Sequence, residues 1–127
     1  MDKAKKLIAS KPYVSQCRIL KGSAQMKNLK EWSKLYNALE RTEELFWCCF
    51  QSYKEEEPEE FAEVFPKEKT NVRIEFEKIV HEVMLPDYDQ EFISVYLNIY
   101  VDDHNVGWFK NMLMMDGTDF DEFFVIE

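Results

Sequence analysis

Apolar residues in the first half of the chain recur at the spacing of helices. Ser23 can cap a helix whose apolar positions follow at steps of three, three, one and three residues: Leu29, Trp32, Leu35, Tyr36 and Leu39. Residues 2–10 predict a short basic helix that ends before Pro12, because the residue preceding a proline is driven out of the α region. Residues 13–20 are compatible with a strand.

Two more helices are predicted between Thr42 and Pro66. Thr42 can cap a helix that carries acidic residues in its first turn, where the helix dipole favours negative charge. Residues 45–50 are apolar on every side and fit either a buried helix or a buried strand, and the cap favours the helix. Pro58 suits the first position of a third helix, which Pro66 ends.

At Asn71 the period changes to that of strands. Val72, Ile74 and Phe76 alternate with charged residues, as a half-buried strand requires. The alternation slips at residues 78–80, which predicts a strand with a β-bulge. The apolar positions between residues 76 and 83 would also fit one face of a helix, so that alternative stays open.

Three further strands would complete an antiparallel meander. Residues 92–101 are apolar on both faces and predict a central strand, and residues 106–115 can return beside it. Residues 102–105 supply the turn between them, and residues 123–126 would form the last strand. The dipeptide Asp116-Gly117 predicts a type I′ turn, which needs positive φ at both central residues.

These elements predict an α+β fold, with N-terminal helices packed on a C-terminal antiparallel β-meander of three to four strands. With 127 residues, of which 46% are hydrophobic and 15% aromatic, the chain can bury one core. We therefore expect a single domain that is mainly helical over residues 1–66 and forms the sheet over residues 71–127.

The two parts of the chain carry opposite charge. Residues 1–53 hold ten Lys and Arg against five Asp and Glu, a net charge of +5, whereas residues 54–127 hold six against twenty, a net charge of −14. An acidic surface repels nucleic acid and speeds encounter with basic partners. We expect no direct nucleic-acid binding, although the N-terminal lysines alone would suit it.

Cysteine usage and hydropathy predict a cytoplasmic protein. Cys17, Cys48 and Cys49 are odd in number and form no disulfide framework, so we expect buried thiols in a reducing compartment. The apolar stretch near the N-terminus is too short for a signal peptide, and no run approaches the roughly 18 apolar residues that a membrane helix needs.

No motif predicts a catalytic residue, a cofactor or a metal site. An EF-hand loop starting at Asp116 would put Phe120 at the fifth position and Asp121 at the glycine position, so the ligand spacing fails. The two histidines and three cysteines stand at no zinc spacing, and three glycines are too few for a nucleotide-binding loop. We interpret Asp102-Asp103-His104 as a hairpin turn rather than part of a catalytic triad.

Acidic residues in the turns and strand ends of the meander form the candidate partner-binding surface. The turns at residues 87–89 and 116–117 fall at one end of the sheet, and the turn at residues 102–103 falls at the other. Carboxylates on rigid turns can meet Lys and Arg at fixed geometry, and neighbouring aromatic side chains would supply binding energy. The predicted partner-binding residues are Asp87, Tyr88, Asp89, Asp102, Asp103, Trp108, Asp116, Asp119, Phe120, Asp121 and Glu122.

The chain resembles the small acidic immunity proteins that neutralise toxin domains of bacterial polymorphic and contact-dependent systems, most visibly over "NIYVDDHNVGWFKNMLMMDGTDFDEFFVIE". The resemblance implies a non-catalytic cytoplasmic inhibitor whose acidic side covers the basic substrate groove of a nuclease-like toxin. The basic N-terminal half departs from an evenly acidic inhibitor, so the direction of the binding face stays open.

Two other functions stay open at this point. The same acidic surface would suit a phage-type inhibitor that presents carboxylates in place of phosphates to a host nucleic-acid enzyme. Helices above a curved sheet can also enclose a small apolar ligand, as in isomerase-like domains. The aromatic residues that would line such a pocket, or simply form a core, are Trp32, Trp47, Phe50, Phe92 and Phe124.

Overall fold

The computed structural model describes residues 5–6, 28–66 and 71–127. It confirms the α+β class, with helices followed by an antiparallel sheet. The elements in chain order are β1 (Lys5–Lys6), α1 (Leu29–Leu35), α2 (Ala38–Glu56), α3 (Pro58–Val64), β2 (Val72–Val83), β3 (Glu91–Val101), β4 (His104–Met114) and β5 (Asp119–Ile126). None of the helices in these ranges combines the length and the apolar character needed to cross a membrane.

The strands form one sheet in the order β1-β5-β4-β3-β2, and every neighbouring pair is antiparallel. Strand β3 lies between β2 and β4, as its apolar residues on both faces predict. Ile93, Ser94, Val95 and Leu97 of β3 are all completely buried. The consecutive hairpins β2–β3, β3–β4 and β4–β5 are the meander that the period change at Asn71 predicts.

Helix α2 covers one face of this sheet and confirms the helical interpretation of residues 45–50. Its buried residues follow at steps of four, four, three and four, which is one face of a helix: Ala38, Thr42, Phe46, Cys49 and Tyr53. The ring of Phe46 lies 5.5 Å from that of Phe109 and 5.4 Å from that of Phe124, measured between centroids. Aromatic packing between α2 and strands β4 and β5 is therefore the centre of the core.

The helix boundaries differ from the sequence prediction. Helix α1 begins after Asn28, whose side chain accepts hydrogen bonds from the backbone amides of Lys30 (2.9 Å) and Glu31 (3.3 Å). Asn37, in the left-handed region with φ 53°, separates α1 from α2, so the predicted continuous helix is two helices. Thr42 caps nothing, because it lies inside α2 and its hydroxyl donates to the carbonyl of Ala38 at 2.8 Å.

Near the N-terminus, Lys5–Lys6 is the short strand β1, paired with β5, and not part of a helix over residues 2–10. The predicted strand at residues 13–20 and the predicted cap at Ser23 lie outside the described residues. Helix α3 agrees with its prediction, since Pro58 occupies its first turn and it ends before Pro66.

Strand β2 contains the predicted bulge. Its pairing with β3 shifts between Phe76 and Lys78, which leaves Glu77 as the extra residue. The alternative of a helix over residues 76–83 is therefore wrong. The bulge explains why the apolar alternation slips. Because Glu77 is an extra residue, the side chains that face the helices are even-numbered before it and odd-numbered after it.

The predicted type I′ turn is found at a different hairpin from the one predicted. Asp102 and Asp103 have φ of 50° and 72° and form the two-residue loop between β3 and β4, as a type I′ turn requires. In the β4–β5 turn only Gly117 has positive φ, 88°, and its amide donates to the carbonyl of Met114 at 2.8 Å. Asp116 and Gly117 therefore do not make a type I′ turn.

Strand β5 begins at Asp119 instead of at residue 123. Its acidic residues consequently lie within a strand, where neighbouring side chains point to opposite faces of the sheet. A shift of register between Met112 and Leu113 sets Asp119 opposite Leu113 and Asp121 opposite Met112. The acidic cluster of the sequence is thus divided between the helix-covered face and the other face.

Candidate functional site

The turn between β2 and β3 combines exposed apolar side chains with exposed carboxylates. Leu85 is 67% exposed and Tyr88 is 68% exposed, and Asp87 and Asp89 flank Tyr88 in the exposed turn. An aromatic or aliphatic anchor beside charges is the arrangement that carries binding energy and association rate in protein interfaces. The structure thus places three predicted residues, Asp87, Tyr88 and Asp89, together on the surface.

This turn is held in shape by backbone hydrogen bonds. The amide of Met84 donates to the carbonyl of Gln90, and the amide of Tyr88 donates to the carbonyl of Met84, both at 2.9 Å. Tyr88 has φ 61°, a left-handed conformation that is uncommon for a bulky side chain. The turn therefore presents its side chains in a defined orientation.

The turn between β4 and β5 lies at the same end of the sheet, because β3 separates β4 from β2 and both hairpins turn there. With strands about 4.8 Å apart, the two turns lie roughly 10 Å from each other. One carboxylate oxygen of Asp116 accepts from the amide of Thr118 at 3.1 Å and from its hydroxyl at 2.7 Å. Asp116 accordingly stabilises the turn.

Asp119 is joined to helix α2 by an ion pair. Arg41 Nη2 donates to Asp119 Oδ1 at 2.8 Å, and Arg41 Nη1 donates to the carbonyl of Tyr36 at 3.1 Å. Both charged side chains are about one third exposed, so the pair contributes at most about 1 kcal/mol to stability. Its main consequence is geometric, since it fixes the start of β5 against the junction of α1 and α2.

Helix α1 also packs on this turn. Trp32 Nε1 donates to the carbonyl of Met115 at 3.0 Å. A Cβ at Gly117 would lie 2.2 Å from a ring carbon of Tyr36, so the ring of Tyr36 packs directly on the glycine backbone. The only residue that satisfies both the positive φ and this close approach is glycine.

Phe120 and Trp108 are not exposed anchors. Phe120 is half-buried, and its ring centroid lies 4.5 Å from that of Phe92. Trp108 is half-buried on the sheet face away from α2, 5.9 Å from Tyr96, and its indole N–H donates to Glu127 at 3.1 Å. The structure places both of them in packing within the molecule, and Trp108 lies in the middle of the sheet rather than beside a turn.

Glu122 is not part of an exposed acidic surface, contrary to the sequence prediction. Its side chain is 2% exposed because it points to the helix-covered face, opposite Asn111 in the register of β4 and β5. Asn111 Nδ2 donates to the hydroxyl of Thr42 at 3.1 Å. Asp121, its neighbour in the chain, lies on the other face and is half-buried. Of the predicted acidic group at residues 119–122, only Asp119 is exposed.

Asp102 and Asp103 are exposed at the opposite end of the sheet. Asp103 accepts from Arg73 at 3.2 Å, and Arg73 also pairs with Glu75 and lies 4.5 Å above the ring of Tyr100. Desolvation lowers the pKa of Arg73, but hydrogen bonds to Glu75 and Asp103 outweigh it and raise the pKa overall. One of the two aspartates is therefore already engaged by a cation of this chain.

A second acidic surface, absent from the predicted site, lies where α2 meets α3. An open depression of about 610 Å³ lies at the junction of the two helices, lined by Pro58 and by the glutamates Glu56, Glu57, Glu59, Glu60 and Glu63. The buried Tyr53 hydroxyl donates to Glu60 at 2.9 Å, and burial together with this carboxylate raises the pKa of Tyr53. The sequence signal was Pro58, which turns the chain between two acidic runs.

Metal ligands and the predicted apolar pocket were the two other candidates for a site. No three His, Cys, Asp or Glu side chains in the parts of the chain that the structure describes are grouped as metal ligands. The rings of Phe50 and Phe124, predicted either to line a pocket or to form the core, pack against Phe61 and Phe46 at 5.1 and 5.4 Å. Between α2 and the sheet these rings therefore act as core.

Comparison of the chain with protein-family models, with curated proteins and with solved structures found no match.

Proposed function

We propose that the protein is a non-catalytic inhibitor that binds a basic protein domain, of the kind found in nuclease-like bacterial toxins, through the end of the sheet where the β2–β3 turn lies. The observation that carries this proposal is the pairing of exposed Leu85 and Tyr88 with the carboxylates of Asp87 and Asp89 on one hydrogen-bonded turn. Asp119, on the neighbouring β4–β5 hairpin, lies at the same end of the sheet but is already paired with Arg41.

The carboxylates and the apolar side chains of this turn would have different roles in binding. Exposed carboxylates accelerate encounter with a basic surface, and their effect falls as salt screens them. Desolvation of Leu85 and Tyr88 would slow dissociation, because burying large apolar side chains at the centre of an interface supplies most of the binding energy. An inhibitor of this type needs no catalytic group, and its selectivity comes from matching the position of the carboxylates to cations of the target.

Genetic context supplies the first test, because immunity proteins act on the product of a neighbouring gene. We expect that co-expression of this protein restores growth to cells that express the basic domain encoded beside it. A Tyr88→Ala variant should protect less well. If wild-type protein restores growth against none of the neighbouring gene products, and binds none of them in purified form, the proposed function is wrong.

A matched pair of charge reversals tests the location of the binding surface. The variant D87K/D89K is expected to slow association with the purified partner at least about tenfold at low salt, with a smaller effect at high salt. The control D102K/D103K makes the same change of charge at the opposite end of the sheet and should alter association less than about threefold. Surface plasmon resonance at two salt concentrations measures both; a larger effect of the control would place the interface at the other end.

A further inference from the structure

In the part of the chain that the structure describes, β2 is the last strand of the sheet and pairs only with β3. It is 12 residues long, and an unpaired edge of this length is a template for another strand. Phe76 and Val83 of this edge are 40% and 41% exposed, so pairing with another strand would bury apolar surface.

Two backbone hydrogen bonds define which groups of β2 face outward. At one end the carbonyl of Asn71 accepts from Asp102 at 3.2 Å, and at the other the amide of Met84 donates to Gln90 at 2.9 Å. Because bonding direction alternates along an antiparallel strand, the residues next to Asn71 and Met84 direct their amides and carbonyls away from β3. Continued inward to the bulge, this outward set is Val72, Ile74, Phe76, Ile79, His81 and Val83.

The bulge makes this outward set self-complementary. Glu77 is skipped in the pairing with β3, so the outward residues are even-numbered before it and odd-numbered after it. Two copies of β2 placed antiparallel can then pair an even residue of one with an odd residue of the other, with matching faces and hydrogen-bond directions. In the register centred on the bulge, Phe76 stands opposite Ile79, Ile74 opposite His81, and Val72 opposite Val83.

The charges of β2 fit the same register. On the other face of the strand, Arg73 of one copy stands opposite Glu82 of the second copy. At the centre, Glu77 of one copy meets Lys78 of the other, and no like charges are directly opposed. A slip of two residues in one direction would instead set Glu75 against Glu82, which is unfavourable across a strand pair. Charges that would otherwise discourage edge pairing are therefore complementary in the register centred on the bulge.

We propose that two copies of the protein join by antiparallel pairing of their β2 edges, around a two-fold axis that passes between Glu77 and Lys78. The central contact is Phe76 of each copy against Ile79 of the other, and each Arg73 pairs with Glu82 across the interface. The sheet then continues through both copies, and the two β2–β3 turns lie at opposite ends of the joint interface. This proposal does not depend on the inhibitor function.

Proline and alanine at His81 test the pairing through the backbone. The amide of His81 faces outward, so His81→Pro removes an interface donor and leaves the bonds between β2 and β3 in place. His81→Ala removes the 2.8 Å contact with Glu91 but keeps the amide. In sedimentation velocity of the full chain under reducing conditions, we expect wild type and His81→Ala to dimerise alike. His81→Pro should raise the dimer dissociation constant at least about tenfold, because two symmetry-related hydrogen bonds are lost.

A charge swap tests the register and covers the case in which the proline variant fails to fold. Arg73→Glu and Glu82→Arg should each weaken the dimer, because each opposes like charges, and the double variant R73E/E82R should restore dimerisation. Urea unfolding of each variant separates this effect from the loss of the contacts that Arg73 makes with Asp103 and Glu82 with Lys110. A wild-type protein that stays monomeric up to its solubility limit would overturn the proposal. So would a dimer that responds to neither the proline nor the charge swap.

Discussion

Changing Leu97 to alanine is expected to lower the free energy of unfolding by about 2 to 5 kcal/mol. Leu97 is completely buried in β3 and belongs to the core cluster between the sheet and α2. On this face it stands between Phe76 of β2 and Phe109 of β4 in the strand register. These neighbours belong to hydrogen-bonded strands and cannot collapse fully into the space that the truncated side chain leaves, so a cavity adds to the lost burial.

The control for this prediction is the same substitution at an exposed position. Leu35, at the end of α1, is 71% exposed, and Leu35→Ala should change the free energy of unfolding by less than about 0.5 kcal/mol. Urea titration followed by circular dichroism measures both variants. It should be run at two protein concentrations, since dimer formation would add concentration-dependent stability. Equal effects at the two positions would contradict the placement of β3 in the core.

Reversing the charge of Glu122 is expected to cost at least about 3 kcal/mol of stability. The side chain is 2% exposed on the helix-covered face, beside Asn111, whose buried Oδ1 has no hydrogen-bond donor among the residues that the structure describes. Glu122→Lys brings a longer cationic side chain into this space beneath Thr42 of α2. Burial removes the hydration of its ammonium group, and this loss lowers the stability of the folded state. We expect the variant to unfold at markedly lower urea concentration, or to be recovered as a partly folded protein that binds 1-anilinonaphthalene-8-sulfonate.

Asp121 is the matched control, because it is the adjacent residue of the same strand and points to the opposite face. Asp121→Lys reverses the same charge and should cost less than about 1 kcal/mol. If Glu122→Lys is as stable as Asp121→Lys, the alternation of β5 across the sheet is wrong. The comparison also bears on function, since loss of binding in a variant that includes Glu122→Lys would report unfolding rather than a lost contact.

The proposed inhibitor surface and the proposed dimer edge use different parts of the same hairpin. Binding of the basic partner relies on the β2–β3 turn with Leu85 and Tyr88, whereas dimerisation relies on the backbone edge around Glu77. A dimer would carry two partner-binding turns, one on each copy, and could hold two partner domains at once. Partner binding by His81→Pro, which should be monomeric, would show that the two surfaces act independently.

Local signals in the sequence predicted an element boundary correctly where the residue at that boundary has only one common structural role. Pro58 at the start of α3 is such a case, because proline fits the first turn of a helix and disrupts its interior. Thr42 and Asp116-Gly117 had more than one possible role. A threonine can cap a helix or bond back to its own turn, and the packing of α1 on the sheet decided where the helix begins.

The start of β5 could not be predicted from its residues. Asp119, Asp121 and Glu122 have low strand propensity, and only pairing with β4 holds them extended. The register shift between Met112 and Leu113 then decides which acidic residue faces the helices. A shift of one residue exchanges the faces of every side chain that follows, so surface and buried acids cannot be separated without the pairing partner.

Over residues 28–127 the residue pattern was sufficient to predict helices followed by antiparallel strands and the acidic character of the second part of the chain, because these features depend on residues close together along the chain. The fold was needed to show that Glu122 is buried, that Asp119 pairs with Arg41 and that Leu85 and Tyr88 remain exposed. These properties depend on which strands and helices meet, and contacts between distant residues carry no local signature in the chain.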